Sequence, residues 1–157
     1  MTEEQLVGFA PEEIDTAAPT RSARLKWVVV VQQDLPAGRA VNAAACVAAA
    51  IGAGVHGLLG PDAVDADGSA HPGLPWAGCS VLTAPAEQLA AIRAKAAGSD
   101  GVLVVDMPEA AQLTRVYDEY LAAVAETASD ALAPLAVALV GPRNRVDRIV
   151  GRLPLLA

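Results

Sequence analysis

KWVVVVQQDLPAGRAVNAAACVAAAIG, residues 26–52, contains the clearest indication of how this chain folds. It begins with the apolar run Trp27–Val31, which does not alternate with polar residues and is therefore typical of a strand covered on both faces. A polar turn and a long alanine-rich helix follow. Strand, turn and helix form the half-unit of α/β proteins, which bind ligands beyond the carboxyl ends of strands. Asp34, Arg39 and Asn42 are polar groups at that edge and become the first candidate site residues.

Length and composition indicate one globular domain in a reducing compartment. The chain has 157 residues, of which 54% are hydrophobic, so it can bury a sizeable core and is not of a disordered composition. No apolar run reaches the ~20 residues that cross a bilayer, and the acidic N-terminal stretch lacks the basic region of a secretory signal. We therefore expect a cytoplasmic protein without a membrane segment. Cys46 and Cys79 are expected to be free thiols, with Cys46 buried as a small hydrophobe in its helix.

The net charge of −7 is concentrated at the N-terminus. Residues 1–24 are predicted to form an acidic arm, and residues 25–157 a single α/β domain. The first 20 residues contain five acidic side chains and no Lys or Arg, so the remainder is close to neutral. A strongly basic nucleic-acid footprint is missing, and an aromatic content of 3% offers few platforms for base stacking. Nucleic acid is therefore not an expected partner.

Strands and helices alternate along the domain. The predicted strands cover residues 25–32, 76–83, 102–106 and 135–140. The predicted helices cover residues 38–53, 85–97 and 144–152, with an inserted helix at about 109–127 whose apolar stripe is Leu113, Val116, Tyr120, Leu121 and Val124. Apolar strands separated by helices predict a three-layer α/β/α sandwich. The long connection at residues 55–75 contains both histidines of the chain.

Several segments resemble type 2 peptidyl-tRNA hydrolases. Residues 27–49 are similar to that family's opening strand, turn and helix at positions that include Asp34 and Gly38, and Arg39 stands where the family has a lysine. The closing segment LAVALVGPRNRVDRIVGRLPLL is similar to its last strand and helix. Asp106 matches the aspartate that ends its third strand. The resemblance implies a sandwich of that type with a mixed four-stranded sheet.

Other positions depart from the family's pattern. Its remaining lysines, and the glutamine and histidine of its first helix, are replaced here by Pro36, Val41, Ala45 and Ala48. The chain is most similar to an uncharacterised bacterial branch of that fold. The features it shares with that branch are an N-terminal arm, an N-A-A-A helix start at residues 42–45, a G-x-x-H-P-G-L-P loop at residues 68–75 and the inserted helix. We therefore expect an uncharacterised protein without true peptidyl-tRNA hydrolase activity.

Asp106 and His71 are the candidate catalytic residues. Asp106 closes a buried strand, where a carboxylate can act as an acid or base or can instead cap the next helix. His71 lies in a proline-rich loop and is either a proton shuttle or an ordinary surface histidine. Asp34 likewise either contacts a ligand or bonds to its own turn.

The candidate ligand-binding residues lie at two helix starts, and they are Asp34, Gly38, Arg39, Asn42, Arg143 and Arg145. Arginines at the start of the last helix can hold a phosphate or carboxylate, or they can form a solvated face. Two histidines outside a Cys/His/Asp cluster do not make a metal site. Neither a metal nor a cofactor is therefore expected.

Two kinds of function fit these features, and the sequence leaves open whether the chain is an enzyme. The first is a hydrolase-like enzyme that acts on a small aminoacyl or peptidyl compound. The alternative is a non-catalytic binding or assembly module, expected as a homodimer. The alternative is favoured by the loss of the family's polar positions and by the small-residue faces of the helices, which allow close packing.

Overall fold

A mixed sheet with helices on both faces forms the body of the protein. The computed structural model describes residues 7–157, so Glu3 and Glu4 of the predicted arm lie outside the described residues. The strands of the described chain are β1 (Leu25–Gln32), β2 (Ala63–Val64), β3 (Ala70–His71), β4 (Cys79–Ala84), β5 (Leu103–Pro108) and β6 (Pro134–Pro142). The helices are α1 (Ala37–Gly54), α2 (Ala86–Ala97), α3 (Ala110–Leu113), α4 (Tyr117–Ala125) and α5 (Arg143–Val150).

The main sheet has the order β4–β1–β6–β5 in the described chain. Strand β1 pairs in parallel with β4 and antiparallel with β6, and β6 pairs antiparallel with β5. The predicted mixed four-stranded sheet is therefore confirmed. Because β1, β4 and β5 all point the same way, their carboxyl ends meet at one edge of the sheet.

The two faces of β1 enter two different hydrophobic cores. Val29 and Val31 pack in the core that contains the buried side of α1, whereas Val28 and Val30 pack in the core beneath α2 and α5. Successive side chains of a strand point to opposite faces, so an unbroken valine run supplies both cores at once. The prediction of a strand covered on both faces is confirmed.

Helix α1 packs on the sheet through small side chains. Its buried residues are Ala40, Ala43, Val47 and Ile51, which follow helical spacing. By its 18 residues and its composition, α1 is the one helix of the described chain that could cross a membrane. A core helix meets the same criteria, and the buried face of α1 contacts β1, β5 and β6.

The connection between α1 and β4 has short elements of its own. Strands β2 and β3 form a two-stranded antiparallel ribbon, and all of residues 61–72 are exposed. At the base of the ribbon, a Cβ atom on Gly73 would lie only 1.9 Å from the carbonyl oxygen of Gly60, so this crossing requires glycine. Strand β4 begins three residues later than predicted, because the amides of Trp76 and Gly78 bond to Leu58 and Thr20 instead of joining the sheet.

The inserted segment differs from its prediction. The single helix expected over residues 109–127 is two helices, α3 and α4, separated by Thr114–Val116. Thr114 has an extended backbone, and its hydroxyl donates to the carbonyl of Ala110 at 2.9 Å. Such side-chain hydrogen bonds, and β-branched residues in general, disfavour continuation of the helix. Neither helix buries a residue fully within the described chain, so much of the expected apolar stripe lies at the surface.

The described part of the acidic arm, residues 7–24, packs against the domain. Phe9 is buried and its ring lies 4.7 Å from that of Trp76, centroid to centroid. The guanidinium of Arg24 donates to both carboxylate oxygens of Glu13. This hydrogen bond, followed by a backbone bond from Ala10, lowers the pKa of Glu13 from 4.5 to about 2.

The Arg24–Glu13 pair predicts an acid-sensitive step in stability. Because the pKa of Glu13 is depressed in the folded protein, its stabilising effect is complete above about pH 4.5 and is lost as the pH falls toward 2. We expect Glu13→Gln to lower the melting temperature at pH 6 and to lower it progressively less between pH 4.5 and 2. Glu12→Gln, at the exposed neighbouring position, is the matched control. A Glu13→Gln difference that stays constant over this pH range would contradict the prediction.

Candidate functional site

A groove lies between α1 and the inserted segment at the carboxyl end of β5. It consists of two adjoining cavities, with volumes of about 530 Å³ and 560 Å³, that share Ala111 in their lining. The first is lined by Gly38, Arg39, Asn42, Glu109, Gln112 and Leu113, and the second chiefly by apolar and aromatic residues. We call the two together the α1 groove, with a polar and an apolar end.

The spacing of residues along α1 explains why one helix serves both the core and the groove. Arg39, Asn42, Cys46 and Ala50 line the groove and are separated by three or four residues, so they share one face. The buried residues of α1 lie one position further along and turn toward the sheet. Cys46 was expected to be buried, but it is exposed because it belongs to the groove face.

A hydrogen-bonded network joins the two walls at the polar end. The Nε atom of Arg39 donates to the Gln112 side-chain oxygen at 2.8 Å. The Gln112 side-chain nitrogen donates to the carbonyl of Arg39 at 3.0 Å and to the side-chain oxygen of Asn42 at 3.1 Å. The carboxylate of Glu109 lies 4.0 Å from the guanidinium of Arg39. Gln112 therefore fixes the orientation of the polar side chains that α1 presents.

The apolar end is lined by aromatic residues of α4 and by β5. Its apolar and aromatic lining includes Val47, Val105, Met107, Val116, Tyr117 and Tyr120. The two tyrosine rings meet edge to face, with centroids 5.4 Å apart. Burial, followed by the proximity of Tyr117 and Asp106, raises the pKa of the Tyr120 hydroxyl. Such a surface accommodates an apolar or aromatic group.

The structure brings four of the predicted site residues to this groove. Gly38, Arg39 and Asn42 line its polar end, and Asp106 lines its apolar end. Asp106 does not cap the following helix, whose N-cap residue is Glu109. Its carboxylate instead lies 3.5 Å from the guanidinium of Arg93, and only 18% of its side chain is exposed.

His71 and Asp34 lie elsewhere. His71 is in the exposed ribbon, where its Nε2 atom lies 3.1 Å from the carboxylate of Asp65. That hydrogen bond is the first cause of the lowered pKa of Asp65. Asp34 is exposed in the turn before α1 and has a positive φ of 67°, a conformation that aspartate tolerates better than most residues. Neither residue is part of the lining of the α1 groove in the described structure.

Arg143 and Arg145 lie at the opposite edge of the sheet. Pro142, just before them, pairs with Leu25 at the beginning of β1. Arg143 donates to the carbonyl of Ala23 at 3.0 Å, and Arg145 donates to the carbonyl of Asp100. Both arginines therefore fasten neighbouring backbone segments, and a role for them in ligand binding stays a prediction.

The inserted segment contributes residues to the site that no sequence pattern had indicated. The groove is lined by Glu109, Gln112, Tyr117 and Tyr120 of this segment. The sequence pattern of the segment predicts only one amphipathic helix. Gln112 is 73 positions from Arg39 and 70 from Asn42, so no local pattern indicates these contacts. Residues 7–157 contain no group of three or more His, Cys, Asp or Glu side chains that could hold a metal ion.

Comparison with known proteins identifies a family and a similar fold, but it does not indicate an activity. The model of a family described as "Protein of unknown function (DUF2000)" matches residues 25–157. A solved structure of a protein of unknown function from Agrobacterium tumefaciens strain C58 is similar, with a TM-score of 0.80 and 21% sequence identity over 85% of this chain and 98% of that chain. At that identity the likeness shows the fold alone. No curated protein matches the chain.

Proposed function

Because the chain belongs to the DUF2000 family of proteins of unknown function, we propose a function from its own geometry: it binds a small aminoacyl or peptidyl compound in the α1 groove. The observation that carries this proposal is the continuity of a hydrogen-bonding end with an apolar end in one groove. Volumes of 300–1,000 Å³, with mostly apolar walls and a few convergent polar groups, are characteristic of small-molecule sites. An aminoacyl or peptidyl compound also has a polar and an apolar part, because its amide or ester group lies beside a side chain that can be apolar.

We further propose that the fold is of the type 2 peptidyl-tRNA hydrolase kind. The sequence resemblance at Asp34, Gly38 and Asp106 supports this, together with the strand–turn–helix opening. In that family's pattern Arg39 stands in place of a lysine, and here it lies at the polar end of the groove. The replacement of the other polar positions by apolar residues supports a ligand other than peptidyl-tRNA.

Hydrolysis in this groove requires a base beside the reacting carbonyl. Asp106 and Glu109 are carboxylates in the lining, and Asp106 is the less exposed, at 18% against 47%. We assign Asp106 as the base because it is the less exposed of the two carboxylates and is held in place beside the Arg93 guanidinium, at 3.5 Å. It would take a proton from a water molecule whose oxygen attacks the carbonyl carbon. The bond to the leaving group then breaks, and that proton passes to the leaving group.

Blocking the groove tests the binding proposal. A panel of aminoacyl and dipeptidyl compounds that includes N-acetyl-L-phenylalaninamide is titrated against the full chain and followed by ligand-observed NMR. We expect binding by members with a large apolar side chain and its loss in Ala50→Trp, because the indole fills the apolar end. Ala91→Trp, exposed on α2, is the matched control and should bind normally. Equal binding by Ala50→Trp, or no binding by any panel member, would contradict the proposal.

Replacing Asp106 tests the catalytic part. We expect slow hydrolysis of L-phenylalanine ethyl ester, and Asp106→Asn should reduce the rate by about 10² or more while ligand affinity changes little. No release of the peptide from peptidyl-tRNA is expected under the same conditions. An ester hydrolysis rate that is unchanged in Asp106→Asn would remove Asp106 from the reaction.

A second candidate function is homodimeric assembly through α4 and the edge of β5. The apolar residues exposed on α4 and in the segment just before it are Leu113, Val116, Tyr117 and Leu121, which are 71%, 54%, 73% and 49% exposed. Helix α4 has nine residues and buries none of them fully, and an isolated helix of that length is marginal in water. Strand β5 ends the sheet, so its outer edge pairs with no strand of the described chain. An identical surface on a second copy would cover both features.

Light scattering after size-exclusion chromatography tests this assembly. We expect the full chain to elute as a dimer at tens of micromolar and Leu121→Asp to elute as a monomer, because the charge would be buried at the interface. Val64→Asp adds the same charge at an exposed apolar position of the ribbon and should leave the dimer intact. A monomeric wild-type chain at this concentration would refute the assembly.

A further inference from the structure

We infer that the polar end of the α1 groove recognises the free α-ammonium group of its ligand, so that the preferred ligands are unblocked α-amino acid derivatives with a large apolar side chain. This inference rests on the proposed function and names the ligand class for the same site. It is carried by three features of the groove, which are a paired cation and anion at one end, an amide with an unused donor, and an apolar end reached past a small residue.

The first feature is the placement of opposite charges on opposite walls. Arg39 comes from α1 and Glu109 from the start of the inserted segment, and their charged groups are 4.0 Å apart. Both are partly exposed at the polar end. A ligand with an ammonium group and a carbonyl oxygen on neighbouring atoms can therefore contact both walls at once, whereas a simple anion would be attracted by Arg39 but repelled by Glu109.

The second feature is the unequal engagement of these groups by the protein. The Nε atom of Arg39 is held by Gln112. No side chain of residues 7–157 donates a hydrogen bond to the Glu109 carboxylate, so its oxygens can accept from a ligand ammonium. The side-chain oxygen of Asn42 accepts from Gln112, which leaves the Asn42 amide nitrogen to donate to a ligand carbonyl. Ammonium and carbonyl are the two polar groups around the α-carbon of an aminoacyl compound.

The third feature is the path from the polar end to the apolar end. Ala111 borders both cavities, and its methyl group restricts the space between them less than any larger side chain would. The apolar cavity beyond it is lined by residues that include Tyr117, Tyr120 and Val105. A head group held at Glu109 and Asn42 can thus direct an apolar side chain toward the tyrosines, where aromatic rings gain additional edge or face contacts.

The experiment compares two probes that differ in the ammonium group. L-phenylalaninamide carries it, and N-acetyl-L-phenylalaninamide does not. Affinities are measured by ligand-observed NMR on the full chain at pH 6, where an α-amino group is protonated. We expect L-phenylalaninamide to bind about fivefold more tightly, as a partly exposed ion pair allows. Glu109→Gln should reduce this ratio to about one, and Glu87→Gln on α2, outside the groove, should leave it unchanged.

The outcomes separate this inference from the proposed function. If the acetylated probe binds as tightly as the free amine, or if Glu109→Gln preserves the preference, ammonium recognition is refuted while groove binding stands. If neither probe nor any other member of the aminoacyl and dipeptidyl panel binds, the proposed function itself fails. A preference for the free amine that depends on Glu109 supports both.

Discussion

The burial of both faces of β1 and β6 requires the layered arrangement of this fold and, through it, sets the place of the groove. These two strands are neighbours in the sheet, and their valine, leucine and alanine side chains are almost completely removed from water. Each face must be covered by helices, because neither can be left exposed without losing about 25 cal/mol for every Å² of apolar surface. Helix α1 covers one face, and α2 and α5 cover the other.

The position of the groove follows from how closely α1 approaches the sheet. Ala40 and Ala43 on the helix meet a sheet whose central strand contributes Ala136 and Ala138, so small side chains set the packing distance. The adjacent face of α1, with Arg39, is then left beside the carboxyl end of β5. The inserted segment returns over this face and is tied to it chiefly by Gln112. The candidate site therefore lies between α1, which packs on the core, and the inserted segment, which contributes little to the core.

Local sequence predicted the core elements well and the inserted segment poorly. The runs that become β1 and β6 are apolar on both faces, so their burial is apparent from the residues themselves, and the helix ends at α1 and α2 lie within a residue or two of their expected positions. Residues 109–127 have helical spacing, but the stripe of apolar residues has no core to pack against. Without that stabilisation, the preferences of Thr114 and Val116 for extended backbone interrupt the helix. Periodicity alone could not show that this stripe borders an open groove instead of the core.

The amino-acid sequence alone predicts the alternation of strands and helices, the doubly buried strands and the sheet edge that carries the candidate site. Each of these depends on the order and polarity of neighbouring residues. Which polar residues meet depends on the folded chain. In the folded chain, Asp106 lies in the same groove as Asn42, whereas His71 lies on an exposed ribbon. Arg143 and Arg145 lie at the far edge of the sheet. Such contacts join residues many tens of positions apart, so they are fixed by how the layers pack and not by any pattern within one segment.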